Sequence, residues 1–172
     1  YMCKVISEET AIFSVSLIES ACDDKDTMSF SMEDGVCYFG ADFAMAAKGN
    51  YSVFIVLSRV GNKLKVEYME RPKRGTDPKV QEQLIKNIYN RFPIVYGFGD
   101  RGSFGSMIVD DLIRDGINIV GFDFQSKKDS AIIKLRQKFE NKQIIIPTNP
   151  DDPYTKSMSD RLIKELSEIV PV

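Results

Sequence analysis

Two aspartates stand where an ionised carboxylate is costly. Asp42 follows an apolar segment and lies within the small-residue sequence GADFA at 40–44. Asp100 follows the apolar segment 94–98 and is preceded directly by a glycine. A carboxylate taken out of water without a partner costs at least several kcal/mol, so each position calls for a cation or for hydrogen-bond donors.

The pair suggests divalent-metal chemistry. If the strands that end at Asp42 and Asp100 are adjacent and parallel, both carboxylates lie at one edge of the sheet, since neighbouring strands are about 4.8 Å apart. Carboxylate oxygens suit Mg²⁺ and Mn²⁺, and such a cluster binds one or two ions that activate water in phosphodiester cleavage. The alternative is that each aspartate caps the next turn or helix. For two aspartates at one edge we favour metal binding.

Composition excludes several other chemistries. The 172 residues contain no histidine, which removes Ser-His-Asp and Cys-His nucleophiles, histidine-ligated zinc and histidine bases. The length suits one domain, because chains usually divide beyond roughly 250 residues. Lys and Arg total 23 against 25 Asp and Glu, so any polyanion must bind at a local patch rather than over a generally basic surface.

The three cysteines, Cys3, Cys22 and Cys37, form no CxxC pair, so we expect reduced thiols rather than disulfides or a zinc site. No apolar run reaches the roughly 18 residues of a membrane span, and we expect no membrane partner. Because the chain begins at Tyr1, we expect a piece of a longer protein.

The elements that position the aspartates are predicted as three strands followed by alternating helices and strands. Leu64, Val66 and Tyr68 alternate with charged residues, which predicts an edge strand with one solvated face. This order predicts an α/β fold with a mixed five-stranded sheet, similar to ribonuclease H, in which the first and fourth strands are neighbours. We expect residues 1–34 to form a lead-in arm and linker, and 35–172 to form the domain. The predicted strands are 36–43, 51–60, 63–70, 94–98 and 117–122, with a short one at 143–146; the helices are 78–92, 103–115, 128–140 and one around 158–166.

A glycine motif offers a competing interpretation. Gly97, Gly99 and Gly102 fit the G-x-G-x-x-G pattern of a dinucleotide site, and Asp123 lies about twenty residues further on, as that site requires. Against it, Asp100 would place negative charge where the pyrophosphate binds at the helix N-terminus. A nucleotide- or dinucleotide-binding domain therefore stays open as an alternative.

Basic residues near the acids are candidates for phosphate contacts. Arg101 adjoins Asp100, and Lys127 and Lys128 follow the predicted fifth strand. Residues 71–74, with sequence RPKR, form a further basic cluster, which can equally be ordinary solvated charge. Cations beside an acidic centre are needed because carboxylates otherwise repel the DNA backbone.

The order of these motifs resembles the nuclease domain of a viral terminase large subunit, the DNA-packaging motor of tailed phages and herpesviruses. The resemblance rests on residues 38–44 (YFGADFA), 50–52 (NYS) and 94–105 (IVYGFGDRGSFG), with similar stretches at 124–128 and 164–166. Residues 1–22 are similar to the end of the ATPase domain that precedes such a nuclease.

The resemblance implies a ribonuclease H-like endonuclease that uses Mg²⁺ or Mn²⁺, with two ions, to cut concatemeric DNA. It assigns Asp42 and Asp100 as metal-binding catalytic acids; the family's third acid comes from an Asp-rich motif, and here Asp123, Asp160 or a residue beyond Val172 would supply it. The implied partners are double-stranded DNA, the terminase small subunit and the capsid portal. The implied location is the host-cell interior: bacterial cytoplasm for a phage, the nucleus for a herpesvirus. A non-catalytic module that docks DNA or the portal is the remaining alternative.

Overall fold

A computed structural model describes residues 11–31, 35–45, 48–102 and 104–170. Cys3 therefore lies outside the described residues, whereas Cys22 and Cys37 are in the reduced state. None of the helices within these ranges is long and apolar enough to cross a membrane. The elements, in chain order, are α1 Val15–Glu19, β1 Cys22–Asp23, β2 Cys37–Asp42, β3 Val53–Val60, β4 Lys63–Glu70, α2 Pro78–Arg91, β5 Ile94–Asp100, α3 Gly105–Arg114, β6 Ile119–Phe122, α4 Phe124–Glu140, β7 Ile144–Pro147 and α5 Pro153–Ser167.

The chain divides into two compact units. The first contains Tyr1–Met28, Asn62–Lys65 and Asp129–Val172; the second contains Ser29–Gly61 and Val66–Lys128. The polypeptide therefore passes from one unit to the other between residues 28 and 29 and between residues 61 and 62, and again inside β4 and inside α4.

The second unit contains the five-stranded mixed sheet that the sequence predicts. Its strands follow the hydrogen-bonded order β4-β3-β2-β5-β6. Strand β2 is antiparallel to β3 and parallel to β5, and β5 is parallel to β6. The predicted first and fourth strands, β2 and β5, are therefore neighbours, which confirms the ribonuclease H-like arrangement.

Helices α2 and α3 complete the core of this unit. The Asp77 carboxylate accepts the backbone N–H of Lys79 and so caps α2, and Pro93 follows its end. Side chains from the sheet and both helices are fully buried together, among them Phe54, Ile85 and Leu112.

The first unit contains α1, β1, β7, α5 and the greater part of α4. Strand β1 is parallel to β7, which is parallel to the start of β4 through Leu64 and Ile144. Residues 11–28, which lie within the predicted lead-in arm and linker 1–34, are part of this unit. Phe13 is fully buried and packs edge-to-face on Phe139, with 5.4 Å between ring centroids. This apolar contact holds the segment around Phe13 against helix α4.

The prediction that β4 is an edge strand with one solvated face is wrong, because β7 pairs with its start and two of its charged side chains are buried. Lys65 and Glu67 are 8% and 1% exposed. Lys65 Nζ lies 3.0 Å from Asp26 Oδ1, and the Ser58 hydroxyl donates to Glu67 at 2.6 Å. Charged side chains are tolerated inside a protein when they have such partners. The alternation of apolar and charged residues along β4 therefore does not mark a solvent-exposed face.

Candidate active site

The structure places Asp42 and Asp100 at the same edge of the second unit's sheet. Asp42 is the last residue of β2 and Asp100 the last residue of β5. Ala41 is paired with Gly99 in the parallel register, so each aspartate directly follows this pair on its own strand. Asp42 is exposed and Asp100 half-buried. The strand-end prediction for both acids therefore agrees with their position.

Both carboxylates line a cavity of about 390 Å³. Apart from the two acids, its lining is glycine, alanine and larger apolar side chains, three of them phenylalanines. This combination places a small acidic centre at the end of a mainly hydrophobic cleft. The lining residues besides the aspartates are Gly40, Ala41, Val53, Ile55, Phe98, Phe122 and Phe124.

Two glycines accommodate Asp100 and the turn after it. A Cβ atom on Gly102 would lie 2.8 Å from Asp100 Oδ2, and one on Gly105 would collide with the Asp100 backbone carbonyl. The start of α3 can therefore lie against the end of β5 because Gly105 lacks a side chain, whereas a side chain at Gly102 would displace the Asp100 carboxylate.

A buried hydrogen-bond network holds the segment that follows Asp42. Ser52 is 3% exposed, and its hydroxyl accepts the backbone N–H of Ala44 at 2.8 Å. The same hydroxyl lies 3.0 Å from the Ala44 carbonyl and 2.8 Å from Gln81 Oε1, the two acceptors for its single proton. Gln81 is fully buried and donates to the carbonyls of Thr76 at 2.9 Å and Ala44 at 3.3 Å. Gln81 therefore ties the segment after Asp42 to helix α2.

Neither Asp123 nor Asp160 is among the residues that line the cavity. Asp123 accepts the hydroxyl of Ser126 at 2.6 Å and its backbone N–H at 3.2 Å, and so caps α4. Both hydrogen bonds lower the pKa of Asp123, and the bond from the Ser126 hydroxyl has the larger effect. Asp160 lies on α5 in the first unit and forms an ion pair with Lys156 at 2.9 Å. Among the residues that the structure describes, no three acidic or thiol side chains form a group able to hold a metal.

The predicted DNA-binding cations lie outside the cavity lining. Arg101 Nη2 forms an ion pair with Asp110 at 2.6 Å, and the arginine side chain lies against Gly121, where a Cβ would collide with it. Lys127 Nζ lies 5.8 Å from the ring centroid of Phe122, and Lys128 is half-buried on α4.

The upstream basic cluster converges on one aromatic ring. The guanidinium carbons of Arg71 and Arg74 lie 3.6 and 4.2 Å from the centroid of Tyr51. Both arginines thereby make cation–π contacts.

The glycine motif does not form a nucleotide-binding loop. Gly97 and Gly99 lie inside β5, paired with Ile119 and Gly121 of β6. A Cβ on Gly97 would collide with the Tyr89 hydroxyl, and one on Gly99 would lie 2.7 Å from Val109 Cγ2. These glycines let α2 and α3 approach the sheet, so the dinucleotide interpretation is wrong about their role.

Two sets of residues at the site are not predicted from the sequence. The first is the phenylalanines of the cavity, and the second is the Ser52–Gln81 network. A signal for the first set was available: Tyr96, Phe98 and Asp100 recur every second residue, which places them on one face of a strand. The buried glutamine carries no comparable sequence signal.

Comparisons with known proteins give structural likeness only. No family model and no curated protein matches the chain. The large terminase nuclease of thermophilic phage G20c superimposes with a TM-score of 0.70 at 21% identity, covering 94% of this chain and 82% of that one. Its magnesium-bound form gives 0.72 at 20% identity, with 94% and 81% covered. A large terminase from another thermophilic bacteriophage gives 0.66 at 14% identity, and the match spans 94% of this chain but 37% of that one. The chain thus has the fold of these nuclease domains.

Proposed function

We propose that this chain is a metal-dependent endonuclease domain of the large-terminase type, which cuts concatemeric viral DNA during packaging. One observation carries the proposal: two carboxylates end adjacent parallel strands and line one cavity, in a fold shared with terminase nucleases.

The donor set fits a hard divalent cation. Mg²⁺ is commonly held by only one or two protein carboxylates, with water and substrate phosphates as its other ligands. Asp42 and Asp100 supply this number. The G20c nuclease has been solved with magnesium, cobalt and zinc, which supports divalent-metal use here. We propose Mg²⁺ or Mn²⁺, with two ions during cleavage; when bound, such ions activate water and stabilise the leaving oxygen.

The protein's own residues then have separate roles. Asp42 and Asp100 hold the cation at the sheet edge. Arg101, Lys127 and Lys128 bind the DNA backbone. For Arg101 this means exchanging Asp110 for a phosphate, which is inexpensive because the side chains of that ion pair are 47% and 49% exposed. Exposed pairs contribute only about 0–1 kcal/mol.

The partners and setting follow from the same proposal. Double-stranded DNA is the substrate, and the terminase small subunit and the capsid portal are the assembly partners. The site of action is the host-cell interior, the cytoplasm of a bacterial host for a phage.

Nicking of supercoiled plasmid with Mn²⁺ tests the proposal. We expect nicking that requires the metal and that Asp42→Asn and Asp100→Asn each abolish. Asp115→Asn is the matched control, because this exposed acid of the same unit pairs with Lys86 and lies outside the cavity lining. Mn²⁺ binding without DNA, followed by calorimetry, should weaken in the same two variants. Nicking that survives both changes would refute the assignment, and metal-independent DNA binding without cleavage would favour a docking module.

A further inference from the structure

Three phenylalanines form a continuous group beside the acidic pair. Phe98, Phe122 and Phe124, which we call the aromatic row, all line the cavity that contains Asp42 and Asp100. The ring centroids of Phe98 and Phe122 are 5.7 Å apart, and those of Phe122 and Phe124 are 6.3 Å apart. Phe98 and Phe124 are each 44% exposed.

The aromatic row is not accounted for by packing within its own unit. The core of the second unit is formed by other aromatic and aliphatic side chains, and the row is absent from it. Exposed aromatic clusters of this kind commonly mark binding surfaces. Metal ligation and phosphate neutralisation need no aromatic rings, so the roles proposed above leave the row unexplained.

We propose that the aromatic row stacks unpaired bases of the DNA strand being cut, so that the preferred substrate has unpaired bases at the cleavage position. This inference rests on the proposed nuclease function, because the acids beside the row are what bring a phosphodiester there. Every base has a π-face that stacks on aromatic side chains regardless of sequence. A paired, stacked base in a duplex does not offer that face.

The surroundings match a nucleotide in size and charge. A cavity of about 390 Å³ lies within the roughly 300–1,000 Å³ range of small-ligand pockets. The rings of the row are not stacked face to face on one another: the planes of Phe98 and Phe122 are 75° apart, and those of Phe122 and Phe124 are 51° apart. Their faces are therefore not covered by one another. Lys127 stands against Phe122 and supplies a cation for the flanking phosphate.

The experiment measures stacking without cleavage. The Asp42→Asn/Asp100→Asn double variant is mixed with two DNA duplexes of one sequence, each containing 2-aminopurine. The base is fully paired in one duplex and lies in a short unpaired bubble in the other. We expect tighter binding of the bubble by fluorescence anisotropy, together with quenching of 2-aminopurine, which reports stacking.

Substitutions within the row identify the residues responsible. On this background, Phe98→Ala and Phe124→Ala should each weaken bubble binding roughly 5- to 150-fold, the effect expected for loss of one base–aromatic stack. Tyr96→Ala is the matched control: the residue is 38% exposed and its ring centroid lies 5.1 Å from that of Phe98, but it does not line the cavity. If Phe98→Ala has a lower melting temperature than the background protein, Phe98→Leu is used instead, because leucine keeps the apolar bulk and removes the ring.

Equal affinity for paired and bubble DNA, or absence of quenching, would overturn the inference. An equal loss in Tyr96→Ala would also overturn it, because a ring outside the cavity lining would then matter as much as the rings that line the cavity. Because no step requires catalysis, the two proposals fail separately. Quenching without wild-type nicking rejects the nuclease, whereas metal-dependent nicking without quenching rejects the base-stacking role.

Discussion

Replacing Gln81 by leucine isolates the network that holds the segment after Asp42. Gln81 is fully buried, accepts from Ser52 and donates to the carbonyls of Thr76 and Ala44. Leucine has similar bulk but no polar atom, so the substitution removes all three hydrogen bonds while leaving the helix and its apolar packing nearly unchanged.

The expected cost follows from which partners are left unsatisfied. Ser52 can give its single proton to Ala44, whose carbonyl lies 3.0 Å away, so these two groups remain paired. The Thr76 carbonyl loses the glutamine donor at 2.9 Å. A buried polar group left without its partner costs about 1–3 kcal/mol. We therefore expect Gln81→Leu to lower the free energy of unfolding by about 2 kcal/mol.

Urea unfolding followed by circular dichroism measures this difference, with the midpoint shifting at constant slope. Gln83→Leu is the matched control: the residue is exposed on the same helix and donates only to Asn87, at 3.0 Å. Such a pair is worth about 0.2–0.5 kcal/mol. Gln81→Leu should also raise the Mn²⁺ concentration that nicking requires, because Asp42 lies two residues before Ala44. If the two leucine variants unfold within about 0.5 kcal/mol of each other, the reasoning is refuted.

Two further predictions concern the packing of β5 and a helix cap. Gly97→Ala should destabilise the protein by roughly 1–3 kcal/mol through its collision with the Tyr89 hydroxyl. Tyr89→Phe should restore part of that loss in a double-mutant cycle, and purely additive effects would show that the hydroxyl is not the obstacle. The Asp152 carboxylate caps α5, and hydrogen bonds from Thr155 lower its pKa below 3.8. Its stabilising contribution is present above the unfolded-state pKa and is lost as pH falls through the lower folded-state value, so thermal melts of Asp152→Asn should decline less steeply below about pH 4. Parallel acid profiles for the two proteins would contradict this.

The parts of the site that sequence predicts are those fixed by local rules. Asp42 and Asp100 end apolar strands, and the strand order that places them side by side follows from the three consecutive strands β2, β3 and β4 that precede helix α2. The surroundings of Asp123 also depend on a local feature. Helix α4 begins at Phe124, whereas apolar periodicity predicts a start near residue 128. The first turn of α4 is mostly polar, so its apolar pattern does not show where the helix begins. The hydrogen bonds by which Ser126 makes Asp123 a helix cap are therefore not predicted either.

Long-range pairing is what local rules cannot supply. Lys65 and Glu67 have the alternating pattern of a solvated strand, and partners outside their own strand make their burial tolerable: Asp26, 39 residues from Lys65, and Ser58 on the neighbouring strand β3. The same applies to Gln81, whose partner Ser52 lies 29 residues away. In each case a buried polar residue is explained by its partner and not by its own segment.

Strand β5 shows how fold and site constrain each other. From Tyr96 to Asp100 its two faces differ: Gly97 and Gly99 are buried where α2 and α3 approach, while Tyr96, Phe98 and Asp100 alternate on the other face. Because side chains alternate with a period of two, a shift of one residue in register would exchange the faces. Aromatic rings and a carboxylate would then meet the helices, and glycines would face the cavity. The glycines that permit close packing therefore also fix the register that presents Phe98 and Asp100 together, so a change that relaxes this packing should impair the site even without touching either residue.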